Sequence, residues 1–295
     1  MNVGEKIRNL RLSKLMTQAD LAGDQITRNM LCTIERGAAL PSLPTVCYIA
    51  QRLNVPVGYL LAEDEDDIAY RKMVAMPNVR RALTAGDYRG CLAVLHSNFG
   101  DSFDDELALI RAECEYRIAK EAFDCGRLHA AATGFDRAIA ASQETVYDTA
   151  WIRNRAAVYF RYLGTLSPTL TSDLLEESEI ETAKSIGDDF CAYVLAKEAL
   201  DGEREGEVEE YLSRNRGNIF AARLEALRYM HRGETARALA AYEALLSNDA
   251  LTVGVLMYEV FGDMELCCRQ NDDYKRAYEF SSSRIGLLER LLEEA

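Results

Sequence analysis

The chain has 295 residues, 48% hydrophobic and 28% charged, with a formal net charge of −14. This balance excludes an intrinsically disordered chain. No apolar run nears the roughly 20 residues of a membrane span, and MNVGEKIRNL lacks an apolar signal core, so a cytoplasmic protein without membrane contact is expected. So acidic a chain is no generic nucleic-acid binder unless its charge is unevenly spread. It is: residues 1–62 carry seven bases (Lys6, Arg8, Arg11, Lys14, Arg28, Arg36, Arg52) against four acids (Glu5, Asp20, Asp24, Glu35), whereas the remainder carries 27 bases against 44 acids. Any contact with phosphate must be local to the N-terminal part.

In chain order, Val3 to Leu15 repeats apolar residues at Val3, Ile7, Leu10 and Leu15. This predicts an amphipathic helix with Arg8, Arg11 and Lys14 on a side able to face phosphates. Thr17 followed by Asp20 predicts a capped second helix, with Leu21 and Ala22 buried. Thr27 caps a third, whose Leu31 and Ile34 face inward, and Gly37 suits the left-handed residue that ends it. Arg28, Asn29, Cys32 and Thr33 then look outward from the start of that helix, as side chains reading a major groove must. With Gln18, Thr27 and Arg36 they form the candidate DNA-binding set. Ser42 caps a fourth helix with Pro44 in its first turn and Val46, Ile49, Ala50 and Leu53 as its core stripe. Val57 to Leu61 closes a five-helix domain.

The stretch MTQADLAGDQITRNMLCTIERGAALPSLPTVCYIAQRLNV resembles the Cro/CI (XRE) helix-turn-helix family in its TQ opening, the Ala22 position, the IERG exit and the following PSL-x-T helix start. The resemblance covers roughly residues 1–62 and implies binding to a double-stranded DNA operator. The acidic run Ala62 to Asp67 is taken as the boundary between a DNA-binding domain, 1–62, and a second domain, 63–295.

From Ile68 onward there is no alternating β pattern and no nucleotide-type glycine fingerprint. Helical pairs recur about every 35 to 40 residues, a period that marks helical solenoids. The clearest are Ala112 to Ser142, with Ile118, Ala119, Gly126, Ala131, Phe135 and Ala138, and a unit with Ala226, Tyr229, Gly233, Ala238 and Tyr242. These spacings resemble the tetratricopeptide repeat, in which small residues sit where paired helices cross closely. Weaker copies lie at Gly86 with Tyr88 and at Asp272 with Tyr274 and Ala277. Two more pair Trp151–Leu163 with Leu174–Ile186, and Phe190–Leu200 with Val208–Leu212. A long amphipathic helix from Tyr274 ends the array, with Gly286 inside it. The expected fold is therefore all-α: a five-helix helix-turn-helix domain followed by a right-handed superhelix of about six tetratricopeptide-like hairpins.

Stacked hairpins of that kind leave a concave groove lined by the first helix of each pair. The repeat template places Tyr116, Lys120, Trp151, Asn154, Val158, Arg161, Phe220, Arg223 and Leu227 there, as candidate ligand-binding residues for an extended peptide. Asn154 and Arg161, seven apart on one helix face, are the favoured pair. Any one of these aromatic or apolar side chains also fits an ordinary core position.

The two-part architecture resembles the peptide-pheromone regulators of the Rgg/PlcR kind. That implies a homodimer whose repeat domain takes up a short quorum-sensing peptide and so controls two recognition helices on an operator. The alternatives are a constitutive dimeric DNA-binding regulator and a scaffold whose repeats hold a partner protein. No enzyme is expected: His96, His129 and His231 are too few and too dispersed for a metal cluster or a Ser/His relay, and neither HExxH nor a Walker loop occurs. The eight cysteines include no C-x-x-C pair. No cofactor and no metal are expected.

Overall fold

The computed structural model describes residues 2–62, 67–175, 187–247 and 254–293. Among them the fold is all-α, with sixteen helices. The chain divides into two compact units, Met1–Gly86 with Ala93–Asp101, and Asp87–Leu92 with Ser102–Ala295.

The first unit opens with α1 (Val3–Ser13), α2 (Gln18–Ala22), α3 (Arg28–Glu35), α4 (Leu43–Leu53) and α5 (Val57–Leu61). Each of the first four starts on a side-chain cap. Asn2 with Glu5, and Thr17 with Asp20, make reciprocal capping boxes, while Thr27 and Ser42 cap singly. These caps satisfy amides that helices this short otherwise leave to water. The five helices share one core, formed by Ile7, Leu21, Ala22, Leu31, Ile34, Val46, Ile49, Ala50, Leu53 and Leu60. Each large aliphatic side chain there contributes roughly 1.5–3 kcal/mol by leaving water. Gly37 is left-handed as predicted, with φ 71°. α6 (Asp67–Thr84) and part of α7 (Tyr88–Phe99) group with this unit.

Two expectations about α1 are corrected. Its apolar stripe stops short of Leu15, because the chain leaves the helix at Lys14 and Leu15 itself is left-handed (φ 55°) and 93% exposed. Met16 packs against the core in its place. Arg11 does not face outward but is buried in an ion pair, and Lys6 is buried with its ammonium donating to the Ala62 carbonyl oxygen at 2.7 Å. Of the seven bases in residues 1–62, Arg8, Lys14, Arg28, Arg36 and Arg52 are left exposed.

The second unit holds α8 (Asp105–Asp124), α9 (Leu128–Ser142), α10 (Ala150–Leu166), α11 (Asp189–Asp201), α12 (Glu205–Arg214), α13 (Ile219–His231), α14 (Thr235–Leu246), α15 (Gly254–Gln270) and α16 (Tyr274–Leu292). Consecutive helices pair: α8 with α9, α11 with α12, α13 with α14, and α15 with α16. Small residues let α8 and α9 cross closely, since a Cβ added at Gly134 would lie 2.8 Å from that of Ala119. The helix expected over Leu174–Ile186 falls mainly outside the described residues. The final helix runs unbroken through Gly286, as the sequence predicts.

Candidate nucleic-acid interface and repeat interior

In the first unit α2 and α3 are held at their crossing by polar groups as well as by the core. Gly23 ends α2 at φ 53°, ψ −141°, a conformation only glycine adopts freely. A Cβ there would sit 2.3 Å from the Tyr48 hydroxyl. That hydroxyl donates to the Ala22 carbonyl oxygen at 2.9 Å, and Arg52 donates to the carbonyl of Asp20, so α4 fixes the end of α2. Thr17 donates from its backbone N–H and its hydroxyl to Asp20 at 2.8 and 2.6 Å, which holds that carboxyl below its ordinary range.

Beneath the pair, Glu35 of α3 receives the Arg11 guanidinium at two points, 2.6 and 2.9 Å, and the Gln18 amide at 2.8 Å. Arg11 also donates to the Met16 carbonyl oxygen at 2.9 Å. One buried carboxylate thus joins α1, α2 and α3. Burial pushes the Glu35 carboxyl up, but the hydrogen bonds from Arg11 and Gln18 and the charge of Arg11 outweigh it and leave its pKa lowered.

Most of the predicted DNA-binding residues lie together along the outer side of α3. Arg28, Asn29, Thr33 and Arg36 are exposed, and Cys32 is half-buried. Thr27 is exposed and its hydroxyl accepts from the Met30 amide at 3.1 Å. The Thr33 hydroxyl donates to the Asn29 carbonyl oxygen at 2.9 Å, so toward solvent it is an acceptor beside a methyl group. Gln18 is half-buried with its amide committed to Glu35. Met30, 42% exposed, shares the surface and was missed. It is adjacent to Asn29 in a helix whose inward face is only Leu31, Ile34 and Glu35.

The candidate groove residues of the second unit are less uniform, and several expectations are corrected. Tyr116 and Val158 are fully buried, Leu227 is 8% exposed and Arg223 is 1% exposed, so none of the four offers surface to a ligand as placed. Tyr116 packs its ring edge-on against Trp151 (centroids 5.3 Å) and donates weakly to Asp188 at 3.4 Å. Arg223 is held by Glu259 and by two bonds to Asp263 at 3.1 and 2.6 Å. An arginine in the interior must be paired in this way, because an isolated charge there costs several kcal/mol. Lys197 adds a second cation, 2.7 Å from Glu259.

The other candidates are partly accessible. The Lys120 ammonium lies 3.2 Å from Asp188 and 3.1 Å from the Tyr159 hydroxyl. Burial raises the pKa of the Asp188 carboxyl, but Lys120 and the Cys191 amide bring it below the ordinary value. Arg161 pairs with Glu198 at 3.0 Å. Asn154 is half-buried on the same helix. Phe220 stacks on Tyr193, 5.3 Å between centroids. The template missed Arg155, whose guanidinium lies 4.7 Å over the Trp151 ring. The signal was its position four residues after Trp151, one helical turn on. Among the described residues no group of His, Cys, Asp and Glu is arranged to hold a metal ion, and no helix is long and apolar enough to cross a membrane.

Neither a protein-family model nor a curated protein matches the chain. Solved structures do. The chain is similar at 15% identity to PlcR of Bacillus thuringiensis in complex with the peptide PapR7 and DNA, over 99% of each chain with a TM-score of 0.27. It is similar at 14% identity to the competence regulator ComR of Streptococcus vestibularis in complex with its cognate signaling peptide XIP, over 97% of this chain and 98% of that one, TM-score 0.26. It is also similar at 14% identity to an SHP pheromone receptor of Streptococcus dysgalactiae, over 83% and 99%, TM-score 0.20.

Proposed function

We propose that the protein is a sequence-specific DNA-binding transcriptional regulator, in which residues 1–62 form a helix-turn-helix domain of the Cro/CI kind and residues 63–295 a tetratricopeptide-like array that senses a short peptide. It acts in the cytoplasm as a homodimer, without enzymatic activity and without a cofactor. The observation that carries the DNA reading is the outer side of α3. Arg28, Asn29, Thr33 and Arg36 stand exposed on a helix whose opposite side is locked to α1 and α2 through Leu31, Ile34 and Glu35. Arg and Asn are the side chains that pair bidentately with guanine and adenine edges in a major groove. A dimer would present two such helices about one turn of DNA apart, roughly 34 Å, so a small change of subunit angle alters operator affinity. The peptide reading is supported by the helical hairpins of the second unit, with Asn154, Arg155, Arg161 and Lys120 as partly accessible polar groups, Arg155 lying over the Trp151 ring.

The test begins with duplexes enriched by the wild-type protein from a randomised pool. In gel-shift titration Arg28→Ala with Asn29→Ala loses selectivity for them by about 1 to 3 kcal/mol per base-reading contact, while its helicity is unchanged. Unchanged selectivity overturns the assignment of α3 and leaves a protein-binding scaffold ahead. Peptides encoded beside the gene are then titrated against the wild-type complex. A shift in operator affinity supports sensing, and its absence across all of them leaves a constitutive regulator.

A further inference from the structure

Between its two arginines the outer side of α3 carries few groups able to read a base by hydrogen bonding. Arg28 is the first residue of the helix and Arg36 its C-cap. Of the side chains between them Leu31, Ile34 and Glu35 are buried, which leaves Asn29, Met30, Cys32 and Thr33 to meet a ligand. Asn29 alone of these four carries an amide. The Thr33 hydroxyl has spent its proton on the Asn29 carbonyl oxygen at 2.9 Å, so it adds a methyl and a lone pair to the surface. Met30 is 42% exposed, and a thioether cannot donate at all. Nor does α2 make up the shortage, since the Gln18 amide donates to the buried Glu35. Met30 and Thr33 are three residues apart, and that spacing sets them side by side on a helix surface. Asn29 directly precedes Met30 and lies one turn before Thr33. An amide is thus flanked by an apolar pair.

Among the base edges of an unmodified major groove the apolar group that answers such a pair is the C5 methyl of thymine, while adenine is the base that an amide pairs with bidentately. On the DNA-binding reading, which this inference extends, we propose that Met30 and the Thr33 methyl read a thymine methyl close to an adenine held by Asn29. The middle of α3 therefore selects A·T pairs by shape and apolar contact, with the two arginines left for guanine edges or phosphates at either end.

The test uses the full-length protein and duplexes enriched from a randomised pool made without methylated cytosine, so that every C5 methyl belongs to thymine. Each thymine is replaced singly by deoxyuridine, which removes the methyl and leaves the hydrogen-bonding edges intact. In gel-shift titration the wild type is expected to lose about fourfold in affinity at a thymine of each half-site, the effect of leaving one methyl-sized group unburied. That thymine should lie within about two base pairs of the position whose preference Asn29→Ala relaxes, because Asn29 and Thr33 are one helical turn apart. Met30→Ala and Thr33→Ser, the second of which keeps the hydroxyl, should each bind the uracil and thymine duplexes more nearly alike. If no uracil costs the wild type more than about twofold, the proposal is overturned without recourse to any variant. A uracil effect that persists in full in both variants overturns it too, by placing the partner of the methyl elsewhere. A wild type that enriches no duplex fails at the earlier step, and removes the DNA-binding reading and the thymine contact together.

Discussion

The guanidinium of Arg11 and the carboxylate of Glu35 meet at two points, 2.6 and 2.9 Å, in a site where the two residues are 7% and 4% exposed. Removing one partner strands the other's charge in the core. Glu35→Ala is therefore expected to cost about 3 to 5 kcal/mol, whereas Arg11→Met combined with Glu35→Leu should recover most of that loss. Urea unfolding of the single and double variants checks it. A single variant costing under about 1 kcal/mol would place the pair at the surface in energetic terms.

The same pair has a pH signature. The Glu35 carboxyl titrates below its ordinary value in the folded protein, so its contribution is fully present above the unfolded carboxylate pKa. That contribution is lost as pH falls through the lowered folded pKa. Stability measured from pH 7 down to pH 3 should fall less steeply in the Arg11→Met, Glu35→Leu variant than in the wild type. Equal slopes would assign the acid limb to other carboxylates.

This pair also marks where reading the sequence succeeds and where it stops. The alternation of apolar residues and the Thr17, Thr27 and Ser42 caps are local signals, and α2, α3 and α4 begin where they point. Glu35 follows Ile34 and lies four after Leu31, on the inward side by helical period alone. Arg11 falls on the stripe of Ile7 in the same way. Arg11 nevertheless reads as a surface charge, because the partner that makes its burial tolerable comes from another helix. Arg223 repeats the lesson: its partners Glu259 and Asp263, four apart on α15, lie far along the chain. A repeat template assigns helix faces but not which charge on a face is already neutralised, so it offered Arg223 as a groove residue and passed over Arg155.

Gly23 should resist substitution. An alanine there must hold φ at 53° and place its Cβ 2.3 Å from the Tyr48 hydroxyl, which caps the carbonyl of Ala22. Gly23→Ala is expected to destabilise the first unit by about 1 to 3 kcal/mol. It should also weaken DNA binding beyond its effect on folding, since the turn sets how α3 is presented. Gly23→Ala, Tyr48→Phe relieves only the clash and should restore part of the loss. A neutral Gly23→Ala in thermal unfolding would mean that the turn rearranges without cost.

In the second unit, Arg223 is the hub on which two carboxylates depend. Burial holds the Asp263 carboxyl above its ordinary range, Arg223 being the main group opposing that rise. Arg223→Lys keeps the charge but loses the planar fork that bonds both Glu259 and Asp263. It should behave much like Arg223→Met, each costing about 3 to 5 kcal/mol in denaturant unfolding. Full rescue by lysine would show that charge alone, without geometry, holds α13 to α15.

The thiols give a prediction that joins structure to the proposed function. Cys47 and Cys125 are exposed, Cys32 is half-buried, and Cys91, Cys114, Cys191, Cys267 and Cys268 are buried. Burial raises the pKa of the Cys191 thiol, and that of Cys267 is pushed up to about 11, so neither offers much thiolate at neutral pH. Maleimide labelling followed by mass spectrometry should modify Cys47 and Cys125 first, Cys32 more slowly and the buried five only in urea. Adding the selected operator duplex should then slow labelling at Cys32, which lies on α3 between Asn29 and Arg36, while leaving Cys125 in the second unit unchanged. Labelling of Cys32 at the same rate with and without saturating operator would put the DNA on some other surface than α3.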